Sequence, residues 1–588
     1  MTVSRRVPRV KSTHNVRHRF SGAIVVLAAL SFCGVSSAAA APAPVSDAPS
    51  PGATYVPVAP TRIADTRLPF GSSIPGKIPG GATTTIQITD RPEVSVPADA
   101  TAVVINVTIN RTEGTGYATV FPAGIAIPSA SNLNYGIGYT GANLVTVKLG
   151  AGGAVNVFTR AAAHLIIDIF GYYLPAAGAV GPGRVETITP DRLYDTRGIG
   201  SPMAVGEYRT VALPRIPSGA TAVVLNYTVA QTRKGGYFSI LPPADQPTSG
   251  EPGTSNVNVP TAGATLANQV ILPIEPDGKV TLYTSAGGHV ILDLFGYVTG
   301  ASAPVTTRGL FVPLDAPFRM LDTRTANNPI GPTLRMWPGW VDEVSVLGRG
   351  GVPTTGVGAI VGNTTIVDSH GPGWLAMYAA GTQFPGTSTV NTFYRGQTIP
   401  NHTTSPISTR GVAVLLGVTG GHVILDVSGY YLGTPKSATI AVKSNVTPPP
   451  SFPLVLSIPS IGHVSAIQPD LNATDLAHGP GWWPGSAYPG IGGNFTVFGH
   501  RTQHGGPFRK LNYVKAGDLI TVEGDHRKSV YQVTGPWVIV AAGNVQDYVG
   551  PGGYTRITLI ACTKTNGQPT STSYRLIVTA YLVSYTND

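Results

Sequence analysis

One block of sequence occurs three times in this chain, and that constrains the fold more than any other feature. Each copy opens with a Pro-x-Arg-like phrase that leads into Asp-Thr-Arg, at Asp65-Thr66-Arg67, Asp195-Thr196-Arg197 and Asp322-Thr323-Arg324. An apolar run interrupted by one asparagine follows: AVVINVT with Asn106, AVVLNYT with Asn226 and AIVGNTT with Asn363. Next come a Gly-aromatic run (GYATVFPAG, GYFSILPPA, GWLAMYAAG) and a Ser/Asn phrase at 131–135, 255–259 and 388–392. Each copy closes on His, apolar residues, Asp and Gly-Tyr, from His164, His289 and His422.

The period, about 125–130 residues, far exceeds that of a solenoid or propeller, and a unit of that length can bury its own core. The spacing therefore predicts three tandem domains, at about 54–176, 186–300 and 310–434. Short β-branched runs with turn residues every 8–12 positions predict an all-β chain in which each copy is a sandwich or barrel. Composition agrees: Gly 72 and Pro 52 punctuate the chain, while 42% apolar content with 12% charge excludes a disordered one. The third copy is the most diverged, with Gly362 before Asn363 and Ser428 in place of Phe.

Two roles suit the repeated polar residues. Asp168, Asp293 and Asp426 lie inside very apolar runs, where a carboxylate needs backbone donors or an arginine of the same copy. On that reading Asp-Thr-Arg is an internal ion pair with a turn. The second role is glycan binding, since β surfaces bearing Asn, Asp, Arg and aromatics hydrogen-bond and stack sugars. The closing histidines have no second ligand at metal spacing.

The N-terminus is basic, with Arg5, Arg6, Arg9, Lys11, Arg17 and Arg19 and no acids. An apolar run, Ala23 to Val35, and the small residues Ser36 to Ala41 follow. That is a secretory signal layout over 1–41, with cleavage expected near Ala40, or retention as an anchor. Without it the formal charge of +10 falls to about +4, so the basic balance supports no nucleic-acid partner. Residues 42–53 read as a tether, and 435–452, with Pro448-Pro449-Pro450, as a semi-rigid spacer.

The last segment, 453–588, carries the chemistry. Thr555 to Cys562 and Arg575 to Ala580 read as two strands joined by a loop with the turn signal Asn566-Gly567. Such a hairpin sets Cys562 beside Arg575. Upstream, the Phe495 to Phe498 strand ends in Gly499-His500-Arg501. The only other cysteine, Cys33, falls in the expected leader, so the exported chain has a single thiol. A lone cysteine is more often buried and inert. With a histidine and an arginine at neighbouring strand ends it forms a set suited to acyl transfer.

These motifs resemble the sortases, cysteine transpeptidases of Gram-positive surfaces, whose signature T-L-x-T-C stands here as Thr558-Leu559-Ile560-Ala561-Cys562. GHRTQHGGPFRKLNYVKAGDLITV is similar to the class E subgroup, and IPSIG at 458–462 and PG-IGGN at 489–494 match the family's opening segments. Ala561 departs from the usual Thr. The resemblance implies a sortase β-barrel with Cys562 as nucleophile, His500 as acid and base, and Arg575 as oxyanion or backbone donor. His504 and Arg501 are set aside as neighbours of His500. It also implies partners: surface proteins bearing an LAxTG- or LPxTG-like sorting signal, and an amine acceptor on a peptidoglycan precursor or another protein. Placement outside the cell follows: secreted, in the cell wall or at the outer face of the cytoplasmic membrane. No residue pattern requires a cofactor or metal. The repeats resemble those of exported actinobacterial wall proteins, which suggests that they bind wall glycan or space the enzyme. The alternative is a non-enzymatic wall-binding or adhesive protein with an inactive sortase-like end. An L,D-transpeptidase reading is disfavoured, because Arg575 stands too far beyond Cys562.

Overall fold

The computed structural model describes residues 52–439 and 452–587, except 69, 326–335, 337–340, 418, 484–485, 488, 491–492, 525–526, 550–554 and 570. The expected leader at 1–41, nearly all of the 42–53 tether and most of the 435–452 spacer lie outside the described residues. Among the described residues no helix is long and apolar enough to cross a membrane.

The chain is all-β, as its punctuation predicts. Each copy folds into two four-stranded antiparallel layers. In the first copy one layer runs Ala53–Asp65, His164–Pro175, Ala102–Asn110, Gly141–Lys148, and the other Thr83–Gln87, Ala154–Thr159, Gly116–Pro122, Leu133–Tyr135. The second and third copies repeat this order, and pairing of Ala53 with Phe311 joins the first layers of the first and third copies into one eight-stranded sheet. Core residues from both layers, such as Ile86, Val120 and Val155 with Val103, Ile105 and Ile167, form one cluster. The arrangement is therefore a sandwich.

The strand Ala102–Asn110 is buried on both faces along nearly its whole length. One face meets its own second layer and the other meets a neighbouring copy, which is why the run is continuously apolar rather than alternating. The three copies close into a ring. Asn106 Nδ2 donates to Ser255 O, Asn226 Nδ2 to Ser388 O and Asn363 Nδ2 to Ser131 O, each at 2.7 Å. A second turn of the same cycle runs through Asn268 Nδ2 to Asn106 Oδ1, Asn401 Nδ2 to Asn226 Oδ1 and Asn143 Nδ2 to Asn363 Oδ1. Backbone N–H groups of Leu144, Gln269 and His402 donate to Asn268, Asn401 and Asn143 in turn. A buried amide left unpaired costs about 1–3 kcal/mol, so this network ties the copies into one register.

The repeated acids are structural, as burial demands. Arg62 holds Asp168 through Nε at 2.8 Å, and Arg192–Asp293 and Arg319–Asp426 repeat that pair at 2.8 Å. Burial pushes all three carboxyls above the usual range, against the lowering effect of their arginines. Asp65 takes Arg67 through Nε and Nη2, and its copies do the same. Thr66, Thr196 and Thr323 each set Oγ1 3.0–3.2 Å from Nδ1 of His164, His289 and His422. The triplets thus fasten the opening strand of each copy to its closing strand.

The C-terminal segment is a separate nine-stranded sheet with its own core. Its order is His463–Ile467, Leu454–Ile458, Leu519–Gly524, Arg527–Val533, Tyr574–Asn587, Arg556–Thr563, Asn494–Gly499, Gly481–Trp482, with Val538–Ala541 pairing beside Tyr574–Asn587. A parallel bridge between Gln468 and Gly481 joins the two ends, so the sheet closes as a barrel.

Candidate active site

The site residues sit on three adjacent strands. Asn494–Gly499 pairs in parallel with Arg556–Thr563, with Gly499 opposite Ala561, so His500 emerges beside Cys562. Arg556–Thr563 pairs antiparallel with Tyr574–Asn587, and Cys562 lies opposite Arg575. Directly opposed residues have Cα atoms about 4.5–5.5 Å apart. The second strand runs on to Asn587, well past the expected Ala580, because it also pairs with Arg527–Val533.

Sequence dictates this convergence. Phe495, Val497, Ile557, Leu559, Leu576 and Val578 fill the barrel, and the strands end where polar, turn-forming residues begin. Gly499 is needed at the exit: a Cβ there would meet the Phe508 ring at 2.5 Å.

Cys562 is half-buried and in no disulfide. His500 is half-buried, and its carbonyl accepts from Phe508 N at 2.9 Å. Partial burial lowers its pKa below the usual imidazole value, and His504, with its ring 5.1 Å away, lowers it further. The imidazole is therefore neutral near pH 7 and able to accept a proton. His504 holds a left-handed backbone at φ 50° in the loop after the strand. The Arg575 guanidinium donates through Nη1 to the carbonyls of Thr572 and Tyr574, at 2.6 and 3.1 Å. Among the described residues no hydrogen bond joins the Cys562 thiol to His500 or to Arg575.

Arg501 has a larger part than its standing in the sequence suggests. It is 2% exposed. Nη1 donates to Thr563 Oγ1 and Gly567 O, and Nη2 to Arg509 O and Asn512 Oδ1. It thus ties the residue after Cys562, and the turn beyond it, to the loop that follows His500. Burial lowers its pKa, while the phenol of Tyr513 and the sulfur of Cys562 oppose that shift. Nothing in the dipeptide His500-Arg501 distinguishes this clamp from a solvated arginine; its signal is the buried acceptor set, which sequence does not display.

A Sortase domain model matches residues 456–583. Sortase SrtE1 of Streptomyces coelicolor is 38% identical over 101 residues, 16% of this chain and 27% of that protein. The chain thus spans about a quarter of the length of the curated relative it matches. Among solved structures, sortase E from Streptomyces avermitilis is 25% identical, covering 23% of this chain and 90% of that one, with a TM-score of 0.21. Sortase E1 from Streptomyces coelicolor, with a tripeptide in the active site, is 27% identical over the same shares, with a TM-score of 0.20. Residues 456–583 of this chain are a sortase domain.

Proposed function

We propose that the chain is a sortase-type cysteine transpeptidase that cleaves a sorting signal between Thr and Gly and passes the acyl group to a wall amine. The observation that carries this reading is the convergence of His500, Cys562 and Arg575 at neighbouring strand ends within the matched domain.

Each residue has a role its chemistry allows. The Cys562 sulfur attacks the Thr carbonyl carbon while neutral His500 accepts the thiol proton. Collapse breaks the C–N bond, leaves a thioester, and returns that proton from His500 to the departing Gly amine. An incoming amine then attacks the thioester, His500 takes its proton, and the thiol is regenerated. Arg575 turns from the Thr572 and Tyr574 carbonyls to donate to the oxyanion or to the substrate backbone. The similarity to class E sortases favours an LAxTG-like signal over LPxTG. The three-copy ring holds or spaces the enzyme in the wall outside the membrane.

The test is peptide cleavage with LAxTG and LPxTG substrates, with and without a simple amine, beside Cys562→Ala. Amine-dependent product that disappears in the variant supports the proposal. A folded, reduced protein that turns over neither peptide refutes it and leaves the non-enzymatic, wall-binding reading.

A further inference from the structure

We infer that each junction between copies is a sugar-binding cleft, so that the ring presents three equivalent subsites for one uncharged, hydroxyl-rich glycan. This deepens the reading that the copies hold the enzyme in the wall.

The cleft between the first and second copies has a volume of about 200 Å³. One wall is the first copy: Arg62, Arg67, Thr108 and Thr140. The other is the second copy's outer hairpin, where Tyr237 and Asn258 are directly opposed across two strands. The same ingredients recur at the other junctions. Tyr117 opposes Asn134, and Trp374 opposes Asn391. Thr108, Thr228 and Thr365, only 3%, 1% and 0% exposed, oppose Ile166, Ile291 and Ile424 and back the cleft rather than line its open face. Thr140 becomes Thr265 and Thr398. The cyclic bonds to Ser255, Ser388 and Ser131 set each hairpin against the preceding copy in the same way.

The copies differ widely elsewhere, yet these positions keep their residue type. Burial alone does not require that. Arg67, Arg197 and Arg324 have side chains 41%, 44% and 42% exposed. Each is fixed by its aspartate through Nε and Nη2, and its Nη1 meets no acceptor among the described residues. An immobilised donor loses little entropy on meeting a ligand.

Charge selects the ligand class. In the first cleft Arg62 and Arg67 are balanced by Asp168 and Asp65, and the Tyr237 hydroxyl donates to the Glu251 carboxylate at 2.6 Å, so the site offers donors and acceptors without an unpaired cation. An aromatic ring, threonine hydroxyls, an asparagine amide and a fixed guanidinium edge suit a pyranose, which has an apolar C–H face and a rim of hydroxyls. Three like sites on one ring suit a ligand that repeats, and a polysaccharide does. Engaging several at once raises avidity without a new kind of contact.

The experiment uses the full chain carrying Cys562→Ala and measures co-sedimentation with purified peptidoglycan sacculi. Soluble, uncharged and peptide-free oligomers of β-1,4-linked N-acetylglucosamine serve as competitor. Binding should persist in roughly 0.5 M salt, where exposed charge pairs are screened. The soluble glycan should displace it. Tyr237→Ala alone should weaken it about tenfold, and Tyr117→Ala, Tyr237→Ala and Trp374→Ala together by about 100-fold or more. Unchanged circular dichroism and melting establish that each variant is folded; if the triple variant melts early, the three single variants decide. A folded variant that binds as the parent does overturns the cleft while leaving wall retention standing. A parent that binds no sacculi overturns both. Binding abolished by salt, or not displaced by peptide-free glycan, overturns the sugar assignment. Transpeptidation plays no part in any arm.

Discussion

Protonating His402 should loosen the ring, and the structure fixes the size of the effect. His402 is 2% exposed, on the Ile399–Pro406 strand where the three copies meet. Its Nδ1 lies 2.7 Å from Gln269 Oε1 of the second copy, and its Nε2 3.0 Å from Thr146 Oγ1 of the first. With the amide oxygen toward the ring, neutral imidazole satisfies both contacts, donating from Nδ1 and accepting at Nε2. Burial pushes its pKa from 6.5 down to about 3. The folded state therefore binds this proton more weakly than the unfolded chain does. Its contribution is complete above pH 6.5 and is lost as pH falls from 6.5 toward 3. The whole span is worth about 5 kcal/mol, of which about 3 kcal/mol is lost by pH 4. Urea unfolding of the parent and of His402→Gln at pH 7 and pH 4 isolates this group, because the carboxylates titrate alike in both. The parent should lose about 3 kcal/mol more than the variant. An equal loss in the two proteins would refute the argument.

Arg62→Met strands Asp168 in the core and should cost about 3–5 kcal/mol, read from denaturant melts; a change below 1 kcal/mol would show that the pair is not structural. Asn268→Leu removes the partner of Asn106 Oδ1 and of Leu144 N, and should destabilise by at least about 1–3 kcal/mol. His504→Asn keeps a residue tolerant of the left-handed backbone and removes the charge that lowers His500. The His500 pKa, followed by NMR, should rise, and the acid limb of the peptide-cleavage profile should move up with it; an unmoved limb would separate His500 from the chemistry. Arg501→Lys should not rescue Arg501→Met in the rate of Cys562 alkylation, since an ammonium cannot span the four acceptors that the guanidinium reaches.

Features confined to one copy were readable from the sequence because the repeated unit itself contains both partners. An aspartate in HLIID or HVILD has to find backbone donors or a cation, and the Pro-x-Arg phrase of the same copy supplies a cation at 2.8 Å. The Thr of each triplet and the closing histidine also meet through strand pairing within one copy, a contact the sequence reading did not name. The hairpin placing Cys562 opposite Arg575 follows from two apolar runs and one Asn-Gly turn. Ring closure was not readable. Asn143, Asn268 and Asn401 look like strand-end polar residues, and only contacts from one copy to another reveal them as the interlock. Arg501 failed for a similar reason: its partners come from two separate stretches, 509–512 and 563–567. The continuous burial of Ala102–Asn110 was the available hint that a strand touches more than its own sandwich.

Intact-mass analysis of the chain mixed with a sorting-signal peptide, without added amine, tests the transpeptidase proposal most directly. The account predicts a mass increase equal to the acyl fragment ending in Thr. That adduct should map to Cys562, be released by hydroxylamine or a simple amine, and be absent from Cys562→Ala. A folded protein with a free thiol that gains no mass, or an adduct that survives in Cys562→Ala, would contradict it.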